Sequence, residues 1–172
     1  MMRQYLPKDT IDILNDLLSA FFKANSTSDN MAYALSCELG CPVASTIYHE
    51  KFAHLFPSAM FADKLSDIMI RSNARPIRKG FDGDDKIYSD IEQLFSENVT
   101  MMENLRDKIR STIDLLDYDI VNKEIVVELE TMLVDCVRLL KVSNIWLENA
   151  VAYKNDNNVY KFNLDFEDMA NI

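Results

Sequence analysis

The chain has 172 residues, of which 48% are apolar, enough for one domain with a substantial core. Only 3 Gly and 4 Pro are present, so the composition favours long helices over the turn-rich chains of β proteins. The net charge of −10 disfavours a nucleic-acid partner, which requires clustered Lys and Arg, and Arg3 and Lys8 are too few to form a basic tail.

Apolar residues recur at spacings of three and four in four segments, and each segment predicts a helix. The first covers about 9–39 and ends at Gly40-Cys41-Pro42. The second covers about 43–73 and contains Pro57, where we expect a kink or a missing hydrogen bond. The third covers about 85–117 and the fourth about 122–153. The tail, residues 154–172, is either mobile or docked on another surface.

These helices predict an all-α fold in which four helices pack side by side over residues 1–153, with 154–172 as a C-terminal tail. Residues 74–84, ARPIRKGFDGD, connect the second and third helices and reach roughly 40 Å when extended. A turn between adjacent helices needs fewer residues. The spare length favours a long crossover along the bundle, as in ferritin-like topology. A plain up-and-down bundle with a loose loop is the alternative.

The second predicted helix carries metal-ligand residue types within an apolar stripe. Steps of four and three connect His49, Ala53, Phe56, Met60, Asp63 and Asp67. The two aspartates are one turn apart and can converge on one ion. His49 lies roughly 21–27 Å from them along a straight helix, so a single helix cannot bring all three together. Two antiparallel copies across a two-fold axis near Pro57 can, which predicts a site between subunits. The alternative is a solvated face with an ordinary structural histidine.

The segment YHEKFAHLFPSAMFADKLSDIMIRSNARP resembles the second helix of Dps-type miniferritins, a branch of the ferritin-like superfamily. The matching features are His49-Glu50, the pair Asp63-x-x-x-Asp67 and the helix exit Asn73-Ala74-Arg75-Pro76, with one residue deleted between the first two. The hydrophobic pattern extends the resemblance over about 9–153. It implies a homo-oligomer, a dimer at minimum and typically a cage of twelve chains. It also implies a ferroxidase site between subunits, where iron(II) is oxidised and then stored.

The departures from the family pattern fall on the metal ligands. The family places a histidine near the end of the first helix, where this chain has Cys37 and Glu38. It also places a carboxylate four residues after the second-helix histidine, where this chain has Ala53. The residues that carry over are His49, Asp63 and Asp67, and the candidate substitutes are Glu50, Glu38, Cys37 and His54. A ferritin-like bundle without a working metal site, acting as a structural or interaction protein, is the alternative function.

Three further sequence features bear on location and on other iron chemistry. The start, MMRQYLPKDT, lacks the apolar core of a secretion signal, and three cysteines do not form a disulfide framework, so we expect a cytoplasmic protein. No apolar run reaches the roughly 18–20 residues that span a bilayer, so no membrane partner is predicted. The third and fourth helices lack Glu-x-x-His, which disfavours a di-iron centre inside the bundle.

Overall fold

The computed structural model describes residues 6–172, and all the regular secondary structure in this range is helical. The α-helices are α1 (Lys8–Cys37), α2 (Pro42–Lys51), α3 (Ala62–Arg71), α4 (Ile91–Leu116), α5 (Lys123–Asn155) and α6 (Val159–Met169). Short 3-10 helices occur at Ala53–Leu55 and Ile120–Asn122. The all-α prediction is confirmed, whereas Arg3 lies outside the described residues. No helix in the described range combines the length and apolarity needed to cross a membrane.

One apolar core contains side chains from all six helices, and aromatic rings occupy its centre. The Trp146 ring lies 5.7 Å from Tyr48, 5.2 Å from Phe52 and 4.9 Å from Phe166 between centroids. The buried polar side chains of residues 6–172 are amides and hydroxyls, and none is Asp, Glu or His. Every candidate metal ligand in this part of the chain therefore lies at or near the surface.

The segment predicted as one helix over 43–73 is broken in the structure, so that prediction is wrong. Pro57 has no N–H and cannot donate to the carbonyl of Ala53, four residues earlier. Asn25 on α1 replaces the missing donor, because its Nδ2 donates to the Ala53 carbonyl at 2.9 Å. Past the proline, the Ser58 carbonyl accepts from the N–H of Asp63 at 3.0 Å, and α3 begins.

The break also divides the predicted stripe of ligand-type residues. His49 lies near the end of α2, whereas Asp63 and Asp67 lie on the separate helix α3. The axial distance calculated above assumed one straight helix, so it does not apply to this chain. The same break removes the straight-helix geometry from which the pairing across an axis near Pro57 was predicted.

Residues 74–88 form a non-helical connector that follows α1 from its N-terminal part toward its C-terminal part. Three hydrogen bonds join the two segments in the same order along both. Asn15 Oδ1 accepts from the N–H of Ile77 at 2.7 Å, and Ser19 Oγ accepts from the N–H of Lys79 at 2.9 Å. Farther along, Asn30 Nδ2 donates to the Lys86 carbonyl at 3.0 Å. The connector therefore ends beside the opposite end of α1 from the one where it began.

Helix α4 begins at Ile91, six residues later than the sequence pattern predicts, because Asp90 caps it. Asp90 Oδ1 accepts from the N–H of Gln93 at 2.8 Å, which satisfies one of the free donors of the first turn. The capping interaction places the preceding residues outside the helix.

The segment predicted as a tail contains helix α6, which packs against the core. Phe162 and Phe166 are buried among the aromatic rings, with Phe162 5.6 Å from Phe95 between centroids. Asn163 Oδ1 also accepts from the N–H of Ala44 at 2.9 Å, which connects α6 to the start of α2. Of the two alternatives for this segment, the structure has the docked one.

Candidate metal-binding surface

His49 forms the centre of a small group of ligand-type side chains on the surface of the α1–α2 pair. Its Nε2 lies 3.2 Å from Asp29 Oδ1 on α1, and both side chains are nearly half exposed. The ring of His54, from the 3-10 turn after α2, lies 4.4 Å from the His49 ring between centroids. His49 therefore has one carboxylate and one imidazole as neighbours where solvent can reach it.

The turn between α1 and α2 determines which residues face each other in this group. α1 ends at Cys37, and Gly40 in the following turn adopts φ 70°, a left-handed conformation that glycine tolerates. The N–H of Cys41 donates to the Leu35 carbonyl at 2.7 Å, which satisfies a free carbonyl at the end of α1. The chain then reverses, so Asp29 and His49 lie on facing turns at similar distances from the glycine.

The His49–Asp29 distance is close to the spacing of two ligands on one metal ion. Atoms that bind a divalent transition metal at about 2.1 Å, at a right angle to each other, lie about 3.0 Å apart. The observed distance of 3.2 Å is close to this value. The same distance fits a hydrogen bond or ion pair between the two side chains without a metal ion. Histidine and carboxylate are a ligand pair that suits iron.

A shallow groove of about 330 Å³ contains the His49–Asp29 pair, and Glu50 lines the same groove. Of the predicted ligands, His49 and Glu50 thus line this groove, and His54 lies beside the His49 ring. The other predicted ligands do not line it: Cys37, Glu38, Asp63 and Asp67 are all exposed elsewhere on the described surface. Among residues 6–172, no three His, Cys, Asp or Glu side chains form a group that could hold a metal ion.

Asp67 lies in a second groove, of about 410 Å³, between α3 and the start of α5. Glu128 from α5 lines this groove together with Lys64 and Arg71 from α3. Two carboxylates and two cations share the groove, so its charges are balanced within the chain.

Sequence reasoning missed Asp29 as a neighbour of His49. One signal was available, because residues at similar distances on either side of a tight turn face each other in an antiparallel helix pair. Asp29 and His49 satisfy this condition around Gly40. The family pattern instead indicates Cys37 and Glu38 as first-helix ligands, and both lie beside the turn.

Comparison with known proteins finds no family model that matches the chain and no curated protein that matches it. We therefore infer a function from the geometry of this surface.

Proposed function

We propose that the chain is a Dps-like iron-binding protein that oxidises iron(II) and stores it in an oligomer, with its metal site formed between subunits. The observation that carries this proposal is the exposed group of His49, Asp29 and His54. These side chains are iron ligands by type, yet one chain supplies too few for a complete site. A second copy is the natural source of the missing ligands.

The course of the chain supports a ferritin-like four-helix bundle as the framework for this site. In the proposed bundle, α1, the broken pair α2–α3, α4 and α5 are the four members, and α6 is an addition. The connector at 74–88 runs along α1, and a ferritin-like fold needs a long connection of this kind between its second and third helices. A loose loop, as in a plain up-and-down bundle, would not make these regularly advancing contacts.

Asp63 and Asp67 of a second copy are the proposed completing ligands. Both side chains are exposed and lie one turn apart on α3, so their carboxylates can approach one ion. Two such sites arise when two copies face each other about a two-fold axis, since each contributes its histidine to one site and its aspartates to the other. The imidazole of His49 and the carboxylates would hold iron(II) and leave coordination positions for an oxidant.

The reaction needs an external oxidant, which we take to be peroxide or dioxygen. With peroxide, two iron(II) ions each lose one electron, the O–O bond breaks, and two protons complete two water molecules. The two iron(III) ions are then the stored product. The residues of this chain bind and position the ions, and the proposal assigns them no covalent step.

Mixing two inactive variants tests the proposal that the site is shared. We expect both His49→Ala and Asp63→Ala to reduce iron(II) oxidation by about 10-fold to 100-fold. After subunit exchange between the two variants, about a quarter of the sites should be intact, because half of random pairs are mixed and each mixed pair has one complete site. A light-scattering mass and an iron analysis of the same chromatographic peak give the assembly and its loading.

Asp82→Ala is the control, since Asp82 is an exposed carboxylate of the connector outside both grooves. It should oxidise iron at the rate of the unchanged protein. If the mixture of the two variants remains as inactive as either alone, the site is not shared between subunits and the proposal fails.

A bundle that acts as a structural or interaction protein without metal is the second candidate. One observation favours it, because Asp29 already gives His49 a partner within the chain and so accounts for the pair without iron. This candidate predicts an assembled protein that contains no iron after exposure to iron(II) and oxidises none. The same peak analysis distinguishes the two functions.

A further inference from the structure

Large apolar side chains are exposed at the end of the bundle where α3 ends and α4 turns into α5. Tyr118 is 83% exposed and Ile120 is 87% exposed, the two highest values among the large apolar side chains of residues 6–172. The exposed apolar residues at this end are Ile70, Ile77, Leu115, Tyr118, Ile120 and Val121. Several exposed apolar side chains at one end of a molecule are typical of contact sites.

Internal contacts place these residues at one end of the molecule. Ile70 lines a groove with Glu128 from the first turns of α5, directly after the α4–α5 turn. The N–H of Ile77 is held by Asn15, in the N-terminal part of α1. The end of α3, the start of the connector and the α4–α5 turn therefore lie close together.

The two parts of this surface carry opposite charges. Residues 70–81 contain four cations and no acidic residue: Arg71, Arg75, Arg78 and Lys79. Residues 114–121 contain three carboxylates and no cation: Asp114, Asp117 and Asp119. The basic segment stands out in a chain with a net charge of −10.

Two of the cations have a close partner within the chain, whereas Arg71 shares the groove of Asp67 and Glu128 and Arg75 is exposed. Lys79 pairs with Asp16 at 2.6 Å, and the guanidinium carbon of Arg78 lies 3.4 Å from the centroid of the Phe22 ring. Arg71 and Arg75 are exposed, and within residues 6–172 neither forms an ion pair with the aspartates of the α4–α5 turn.

We propose that this end of the bundle is a contact surface for a second copy of the chain. The basic, apolar segment 70–81 of one copy would lie against the acidic, apolar segment 114–121 of the other. Each copy carries both segments at the same end. In a two-fold contact, the basic segment of each copy can therefore lie against the acidic segment of the other. The charges would determine orientation, and burial of the aliphatic and tyrosine side chains would supply affinity.

The inference deepens the oligomeric part of the proposed function but uses a surface separate from the His49 groove. Self-association at this end requires no metal. A test of self-association can therefore succeed or fail independently of a test of iron binding.

The test compares Ile120→Ser with Ile87→Ser by light scattering and sedimentation. Ile87 is 74% exposed and lies at the far end of the connector, so its substitution removes similar apolar surface away from the proposed contact. We expect Ile120→Ser to lower the assembled mass about twofold or more, as one set of contacts is lost. Ile87→Ser should leave the mass unchanged. Helical circular dichroism should be the same for both.

A charge exchange makes the test independent of any folding defect. Arg75→Glu and Asp117→Arg should each weaken assembly by placing like charges together, and the double variant should restore it. Asp117 caps the end of α4, where a cation is favourable, so Asp117→Arg preserves the helix. Equal masses for Ile120→Ser and Ile87→Ser, no restoration by the double variant, or a monomeric unchanged protein would each overturn the inference. Assembly that responds as expected but binds no iron would overturn only the proposed function.

Discussion

The side-chain amide of Asn25 on α1 donates to the carbonyl of Ala53 at 2.9 Å and thereby stabilises the break between α2 and α3. Ala53 is fully buried, so its carbonyl cannot obtain a partner from bulk solvent. Pro57 cannot supply one, because it has no N–H. A residue from a different helix therefore completes the hydrogen bonding of a segment that proline interrupts.

Replacing Asn25 by Ala should lower the free energy of unfolding by about 1–3 kcal/mol, because it leaves a buried carbonyl without a donor. Urea denaturation followed by circular dichroism measures this loss. Asn149→Ala is the matched control, since Asn149 Nδ2 donates to the Ile145 carbonyl of its own helix, which already has a helical partner. A loss no greater than that of the control would show that the Asn25–Ala53 bond does not stabilise the break.

Local periodicity predicts the core well and predicts the break poorly, for a physical reason. Leu14, Phe21 and Leu65 fall on the apolar stripes that the three- and four-residue spacing predicts, and all three are fully buried. The break at Pro57 depends on Asn25, which is 28 residues away from Ala53, so no local pattern contains it. A proline allows either a kink or a break, and here tertiary contacts decide between them.

The candidate site shows the same division between local and tertiary information. The sequence identifies His49 and the pair Asp63/Asp67 as ligand types, but the distances between them follow from the course of the chain. Asp29 acquires its importance only from the turn that faces it toward His49. Short helices are also difficult to recognise from sequence. The segment 159–169 has only 11 residues, so its apolar spacing repeats too few times to distinguish a helix from an irregular polar tail.

Helix α6 should depend on its buried phenylalanines for its position. Phe166 is almost completely buried, and its ring lies 4.9 Å from that of Trp146. Phe166→Ala should lower the free energy of unfolding by about 3–5 kcal/mol, since it removes a large buried ring and leaves a cavity. Tyr160→Ala in the same helix, at a side chain that is 72% exposed, should change it by less than about 0.5 kcal/mol. Similar thermal-denaturation curves for the two variants would contradict the docked position of α6.

The cap of α4 should make a pH-dependent contribution to stability. The Gln93 N–H, with Lys154 beside it, holds the pKa of Asp90 below its usual value of 3.8. A lowered pKa in the folded state means that the contribution is complete above the unfolded pKa and is lost as the pH falls through the folded pKa. Asp90→Ala should therefore cost about 1 kcal/mol near neutral pH.

The difference between Asp90→Ala and the unchanged protein should become smaller as the pH is lowered below 3.8. Urea denaturation at a series of pH values measures it. Asp82→Ala serves as the control, because Asp82 is exposed in the connector and makes no cap. If Asp90→Ala lowers the free energy of unfolding by the same amount at every pH into strong acid, the charge of Asp90 does not contribute to stability.

The three cysteines should differ sharply in their reaction with thiol reagents. Cys41 and Cys136 are fully buried, and burial raises the pKa of Cys41 to about 11 and that of Cys136 to about 12. Both therefore remain thiols, which react slowly because the thiolate is the nucleophile. Cys37 is exposed. A native titration at pH 8 should give one fast thiol, Cys37→Ser should remove it, and denaturant should expose all the remaining cysteines. Two fast thiols in the native protein would contradict the burial of Cys41 or Cys136.

Asp29 provides the sharpest test of whether the His49 group binds metal. Asp29→Asn keeps the shape of the side chain and a hydrogen-bonding oxygen for His49, but it removes the negative charge that a metal ligand supplies. We expect iron(II) affinity, measured by anaerobic titration, to fall by about 10-fold to 100-fold while the denaturation curve stays unchanged. Asp12→Asn, an exposed position earlier on the same helix, should leave the affinity as it was. If both variants bind iron(II) equally well, Asp29 is only a partner that holds the imidazole in place, and the pair gives no support for a metal site.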